Sequence, residues 1–255
     1  MTVIVSKEIV EQEIKKITSA RDKEFFSRIY QTPSEVYEQR LRNIGFIDQN
    51  SVVDAGCGYG QWSVLLARLN KKVYAIELDN ARFEIAREVG MKSGVTNCEY
   101  FHTSIENTKL ADASIDAIFC YSAIYYTNFF NTLKEFYRIL RPGGTLYFST
   151  NGLGWYLYNI VEAPYSTDGF SPRRMAIDAL KNSLFFYSLG KLKPSASLVM
   201  PRKTVKKKLT EIGYVDIEFA DEACIILPKG REVEPFFEGR YYGCEGVYEV
   251  LCKKS

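Results

Sequence analysis

The chain has 255 residues, of which 46% are hydrophobic and 25% charged, with a formal net charge of +2. That length suits one sizeable α/β domain with an insertion, or two small domains, and the composition is that of a globular chain. A charge so near zero implies no polyanionic partner by itself, and no apolar run reaches the length of a membrane span.

Residues Met1 to Lys7 carry neither a basic n-region nor a long apolar h-region, so no secretory leader is expected. Over 6–30, Ile9, Val10, Ile14 and Ile17 recur at helical spacing and predict one or two helices. Thr32-Pro33-Ser34-Glu35 reads as a capping box with proline at the first helical position. The helix it opens has Val36, Tyr37, Leu41 and Ile44 on one side and stops at Gly45. Residues 1–45 are thus expected to form a helical cap on a domain running over 46–255.

At Val52-Val53-Asp54-Ala55-Gly56-Cys57-Gly58-Tyr59-Gly60 an apolar strand runs into an acid and three alternating glycines. Such glycines let the backbone turn sharply and let a ligand approach where a β-carbon would collide. A dinucleotide fingerprint needs Gly-x-Gly-x-x-Gly; here Gln61 holds the third glycine's slot, so the spacing fits a ligand without a pyrophosphate better. Strand and helix alternate from Ser51 to Thr150, which predicts a doubly wound, mostly parallel sheet with helices on both faces. At the carboxyl ends of its strands the glycine loop, Glu77, Ser104 and Cys120 would converge.

The Asp-x-Gly-x-Gly-x-Gly pattern resembles the cofactor loop of class I S-adenosylmethionine-dependent methyltransferases of the small-molecule type. Four further blocks follow in that family's order: Lys72–Glu77 as second strand, Cys98–Ile105 as third strand and turn, Ser114–Tyr121 as fourth strand, and Leu140–Phe148 as helix end, turn and fifth strand. Together they cover roughly residues 50–150 and imply an α/β fold on a seven-stranded sheet, with S-adenosylmethionine as cofactor and S-adenosylhomocysteine as product. The resemblance assigns Asp54, Gly56, Gly58 and Gly60 to the methionine part of the cofactor. Asp54 would order the loop or meet the sulfonium side through water. Glu77 is assigned to the two ribose hydroxyls, with Leu78 beside it. Ser104, where the family often has aspartate, faces the adenine amino group, and Ile105 the ring. Cys120 and Tyr121 fall at the methionine end. Tyr125 and Tyr126 stand where many members carry two histidines, and are the candidates for orienting the acceptor; their faces suit a cationic sulfonium or amine.

Residues 151–200 interrupt the alternation with an aromatic-rich insertion, read as a lid, in which Ile177, Leu180, Leu184 and Tyr187 predict a helix. Trp155 and Tyr156 from this lid, Arg240 and Tyr241 from a predicted long loop, and Tyr30 and Tyr37 from the cap are the candidates for covering the acceptor. Pro201–Ile212 reads as a helix, with strands at Tyr214–Phe219 and Gly246–Cys252. The basic run Arg202 to Lys208 has no interleaved aromatics and reads as a solvated helix face. His102, the only histidine, lies inside the third strand on the adenine side, away from the methyl group. Six cysteines without metal-ligand spacing predict reduced thiols, a cytoplasmic location and no metal. The function expected is methyl transfer to a small molecule, oxygen ahead of nitrogen, by a monomer or homodimer, a saccharide or other biosynthetic intermediate being among the acceptors that fit. An aminopropyltransferase of the same fold, or a non-catalytic binding subunit, are the alternatives.

Overall fold

Three helices precede the sheet in the computed structural model, which describes residues 5–193 and 196–255; residues 1–4 of the predicted cap and 194–195 of the predicted lid lie outside it. Helix α1 (Lys7–Glu13) starts where Ser6 Oγ accepts the Ile9 N–H, and α2 (Ala20–Gln31) where Ser19 Oγ accepts that of Asp22. The predicted capping box does not form. Thr32 Oγ1 instead donates to the Arg28 carbonyl at 3.1 Å and closes α2, so α3 (Ser34–Asn43) begins after Pro33 with no side-chain cap. Gly45, at φ +77°, ends that turn in the left-handed region, as its sequence position predicts.

The domain then alternates β1 (Val52–Ala55), α4 (Gln61–Leu69), β2 (Val73–Glu77), α5 (Asn80–Lys92), β3 (Cys98–His102), β4 (Ile115–Cys120), α6 (Phe129–Ile139) and β5 (Leu140–Asn151). After these come α7 (Leu153–Val161), α8 (Pro172–Leu189), α9 (Arg202–Ile212), β6 (Tyr214–Asp221), β7 (Arg240–Tyr241), β8 (Cys244–Glu245) and β9 (Val247–Lys254). Seven strands form one sheet in the order β3-β2-β1-β4-β5-β9-β6, parallel except where β9 pairs antiparallel with β5 and β6. The predicted doubly wound sheet is therefore present. The predicted long loop before β9 differs in one respect, since it folds part of its length into the β7–β8 hairpin.

Successive strand residues point to opposite faces, and both faces are covered. Val53, Ile118 and Phe148 pack with Phe129, Leu133 and Phe136 of α6, while Val52, Phe119 and Tyr147 pack with Tyr37 and Leu41 of α3 and Trp62 of α4. Chain order reverses between β1 and β4, where helices leave toward opposite faces, the place at which open α/β sheets form a ligand crevice beyond the strand ends.

Candidate functional site

The crevice at that switch point is shaped first by the glycine loop. Gly56, Gly58 and Gly60 all have positive φ, at +78°, +58° and +87°. A β-carbon on Gly56 would run into the Ala123 methyl, and one on Gly60 would sit 3.1 Å from the Ala86 backbone; one on Gly58 would meet nothing. Two of the glycines thus serve close packing, and the middle one leaves an open face. Beneath them Asp54 is buried and accepts the Ser63 hydroxyl at 2.5 Å. Burial pushes its carboxyl up to about 7, Ser63 opposing and the nearby Glu77 charge adding. Of the two roles implied for Asp54, ordering the loop against α4 matches this geometry.

Glu77, at the end of β2, holds the loop from the other side. Its Oε2 accepts the Gly58 N–H at 2.9 Å, and its Oε1 accepts those of Leu78 and Asp79, each at 2.9 Å. A carboxylate offers about four acceptor positions, so these three donors leave one, on Oε2, for a ligand hydroxyl. Leu78 is 66% exposed next to it, whereas Ile105 is buried. The Ser104 hydroxyl accepts the Glu106 N–H at 3.1 Å and shapes the turn after β3. His102 stacks on Phe83, its Nε2 lying 2.9 Å from the Leu78 carbonyl oxygen.

On the β4 side the chain turns sharply at Ser122, which has φ +55°. The buried Ser149 of β5 holds that turn by accepting the Ser122 N–H at 2.9 Å, which carries Ala123 against Gly56. Cys120 is fully buried. Tyr121 turns to the opposite face, where its hydroxyl donates to Glu222 at 2.8 Å; its side chain is not in the crevice. Tyr125 and Tyr126 stand together with ring centroids 4.6 Å apart, Tyr125 buried and Tyr126 44% exposed. Burial pushes the Tyr125 and Tyr156 phenols up, beyond the ordinary tyrosine range.

The cap reaches this loop directly. Tyr30 donates to the Tyr59 carbonyl at 2.8 Å, Phe26 meets the Tyr59 ring edge-on at 5.2 Å, and Arg82 lies over the same ring while pairing with Asp22 at 2.9 Å. From α2 as well, Arg21 lies 3.9 Å over the Phe170 ring and Arg28 4.8 Å over that of Tyr165, both in the insertion. Trp155 packs on Phe237 and Tyr241, and Tyr158 stacks on Tyr241 at 4.5 Å. Two of the residues predicted to cover an acceptor are buried with their hydroxyls engaged on backbone carbonyls. Tyr37 is buried against Trp62 with its hydroxyl on the Ile29 carbonyl, and Tyr156 is buried with its hydroxyl on the Leu198 carbonyl. Arg240 is exposed and bonds within its own hairpin, to the Gly243 carbonyl.

Ser149, Ser63, Ala123 and Arg82 are contributors that the sequence reading passes over. Ser149 lies in an apolar strand pattern and Ala123 has no chemistry of its own, so neither carries a signal. Among the described residues, no group of three or more His, Cys, Asp or Glu is placed to hold a metal ion. No helix among them is long and apolar enough to cross a membrane.

The donor set fits S-adenosylmethionine: an open glycine backbone, a carboxylate with one acceptor position left, and an exposed apolar side chain beside it. Residues 53–148 match a family model described as a methyltransferase domain. It is similar to a malonyl-[acyl-carrier protein] O-methyltransferase of Yersinia pestis, 34% identical over 110 residues, covering 43% of this chain and 38% of that protein. It is also similar to a ubiquinone biosynthesis O-methyltransferase of Hahella chejuensis, 32% identical over 140 residues, covering 51% and 58%. The matched stretches thus span about two-fifths to three-fifths of those relatives' lengths. Among solved structures, a geranyl diphosphate methyltransferase in complex with S-adenosylmethionine superposes with a TM-score of 0.63 over 96% of this chain and 95% of that one, at 16% identity. At that identity the likeness speaks for the fold.

Proposed function

We propose that the protein transfers a methyl group from S-adenosylmethionine to an oxygen atom of a small molecule. The observation that carries this reading is the pairing of the open Gly58 backbone with the Glu77 carboxylate. S-adenosylmethionine, when bound, supplies a methyl carbon already activated by a sulfonium, so the chain's task is binding, alignment and exclusion of water. Glu77 and the glycine loop hold the ribose and the methionine part, while Leu78 and Ile105 flank the base.

Acceptor positioning falls to Tyr126, with Tyr125 behind it, and we assign the covering of the acceptor to the aromatics of the insertion and hairpin, Trp155 and Tyr241 among them. Tyr125 keeps its proton at neutral pH and serves as a hydrogen-bond donor rather than a base. A site that relies on such a phenol favours an acceptor oxygen that is already ionised, a carboxylate or an acidic phenol, which needs no proton removed. As the new C–O bond forms the C–S bond breaks, and the anionic oxygen becomes neutral. The two curated relatives, both named as O-methyltransferases, support oxygen over nitrogen.

Calorimetry of the full chain with S-adenosylhomocysteine tests the cofactor half, and absence of binding would overturn it. The acceptor half is tested by label transfer from methyl-labelled S-adenosylmethionine to a panel of carboxylates, phenols and amines. Labelling of amines alone would overturn the oxygen assignment.

A further inference from the structure

Helix α8 is built inside out. Its buried face carries small and polar residues: Ala176, Ala179, Asn182 and Ser183, with Phe186 the one large side chain. Asn182 and Ser183 are engaged in holding the following segment, Asn182 Oδ1 accepting the Lys193 N–H and Ser183 Oγ that of Val199, each at 2.8 Å. The larger apolar side chains point outward, with Ile177 37%, Leu184 69%, Phe185 55% and Leu189 61% exposed. Scattered exposed apolar residues need no explanation, but four on one helix over a small-residue inner face mark a surface that meets something.

Charge says what that is. Residues 172–208 hold ten of the chain's 33 Lys and Arg and only one, Asp178, of its 31 Asp and Glu. The rest of the molecule is therefore net acidic, although the total is +2. Arg174, Lys181, Lys191 and Lys193 are exposed around the apolar row and form no ion pair among the described residues. The basic field continues onto α9 through Phe130, which packs against Phe186 at 5.2 Å on one side and lies under Lys208 at 4.8 Å on the other.

We infer that the outer face of α8 docks on an anionic lipid surface, with Leu184, Phe185 and Leu189 entering the headgroup boundary and the flanking Lys and Arg meeting acidic headgroups. A bilayer accepts protruding side chains without shape complementarity and rewards cations beside them. A second copy, or an acidic protein, needs a matched patch of about 1,000 Å² or more in total, and a single convex helix row offers too little. This inference stands apart from the methyl-transfer reading. It places helix α8 of the insertion at a membrane surface.

The test is co-sedimentation of the full chain with vesicles of phosphatidylcholine, alone or with about 30% phosphatidylglycerol. The chain is expected to pellet with the anionic vesicles at least about tenfold better than with neutral ones, and to be released by high salt. Both L184E/F185E and K191E/K193E, checked for an unchanged far-UV spectrum and melting temperature, are expected to lose at least about tenfold of that binding. Failure of the unsubstituted chain to pellet with anionic vesicles overturns the inference, as does pelleting that neither double variant weakens. A dimer in sedimentation velocity that L184E/F185E dissolves, without vesicle binding, would assign the face to a second copy and overturn it too.

Discussion

Gly56 and Ala123, 67 residues apart in sequence, face each other so closely that a β-carbon on residue 56 would lie less than 3.0 Å from the Ala123 methyl. The contact joins the loop after β1 to the turn after β4, the two edges of the crevice. It also explains why the loop's first glycine is needed for packing as much as for backbone conformation.

Gly56→Ala is accordingly expected to be worse than Gly58→Ala. Both place a side chain at positive φ, at a cost of about 1–2 kcal/mol, but only the first collides with a neighbour. Urea denaturation should show a larger fall in midpoint for Gly56→Ala. Equal midpoints would mean that the Ala123 turn yields freely.

Glu77→Ala should weaken S-adenosylhomocysteine binding by about 1.5–3 kcal/mol, the worth of hydrogen bonds to a charged group. It also frees the three backbone N–H groups that the carboxylate now gathers, so part of the loss is loop order. Calorimetry reads the affinity directly, and an unchanged value would remove Glu77 from the site.

Asp54 makes stability depend on pH in an unusual direction for an acid. Its folded carboxyl is raised to about 7 from an ordinary 3.8, so between those values the folded chain holds a proton that the unfolded chain has released. The stability from this group is present in full below the lower value and declines as pH rises toward 7. Asp54→Asn cannot titrate. Its melting temperature, relative to the unsubstituted chain, should therefore improve by several degrees between pH 5 and 8, on the order of 1–4 kcal/mol. A constant difference across that range would count against the assignment.

Ser149→Ala removes the acceptor for the Ser122 N–H and should cost about 1–3 kcal/mol of stability. Because Ser122 carries Ala123 and precedes Tyr125, turnover should fall as well, while Ser149→Thr keeps the hydroxyl and should recover part of it. Turnover that is equal in both variants would show that the turn holds itself.

Arg40 is buried with its guanidinium across both Glu222 oxygens and 3.7 Å over the Phe236 ring. Arg40→Met leaves a buried carboxylate without its cation, at a cost of about 3–5 kcal/mol. Chemical denaturation should find this variant among the least stable single substitutions, and a loss under about 1 kcal/mol would contradict the pairing.

The sheet and the glycine loop were legible because both rest on local rules: alternating strand and helix periods, and glycine where φ is positive. Thr32 was misread because a hydroxyl before proline can close one helix as readily as it opens the next, and only the geometry of the α2–α3 corner decides. Tyr37 and Tyr156 went astray for a different reason. A tyrosine's apolar ring suits the core whenever a carbonyl lies at the right depth for its hydroxyl, and neither Ile29 nor Leu198 advertises such a carbonyl in sequence. Tyr121 follows strand alternation, pointing opposite to Cys120, which the period of two would have shown. Ser149 could not be found at all, since its partner turn lies on another strand.

The seam between α2 and the insertion rests on two guanidinium–ring contacts, Arg21 on Phe170 and Arg28 on Tyr165. At exposed positions such contacts are worth about 0.5–1 kcal/mol each, against about 1.5–3 kcal/mol for a hydrogen bond to a charged group such as the Glu77 carboxylate. Of the two joints this seam is therefore the weaker, and the loop gathered around Glu77 keeps its shape when the seam loosens.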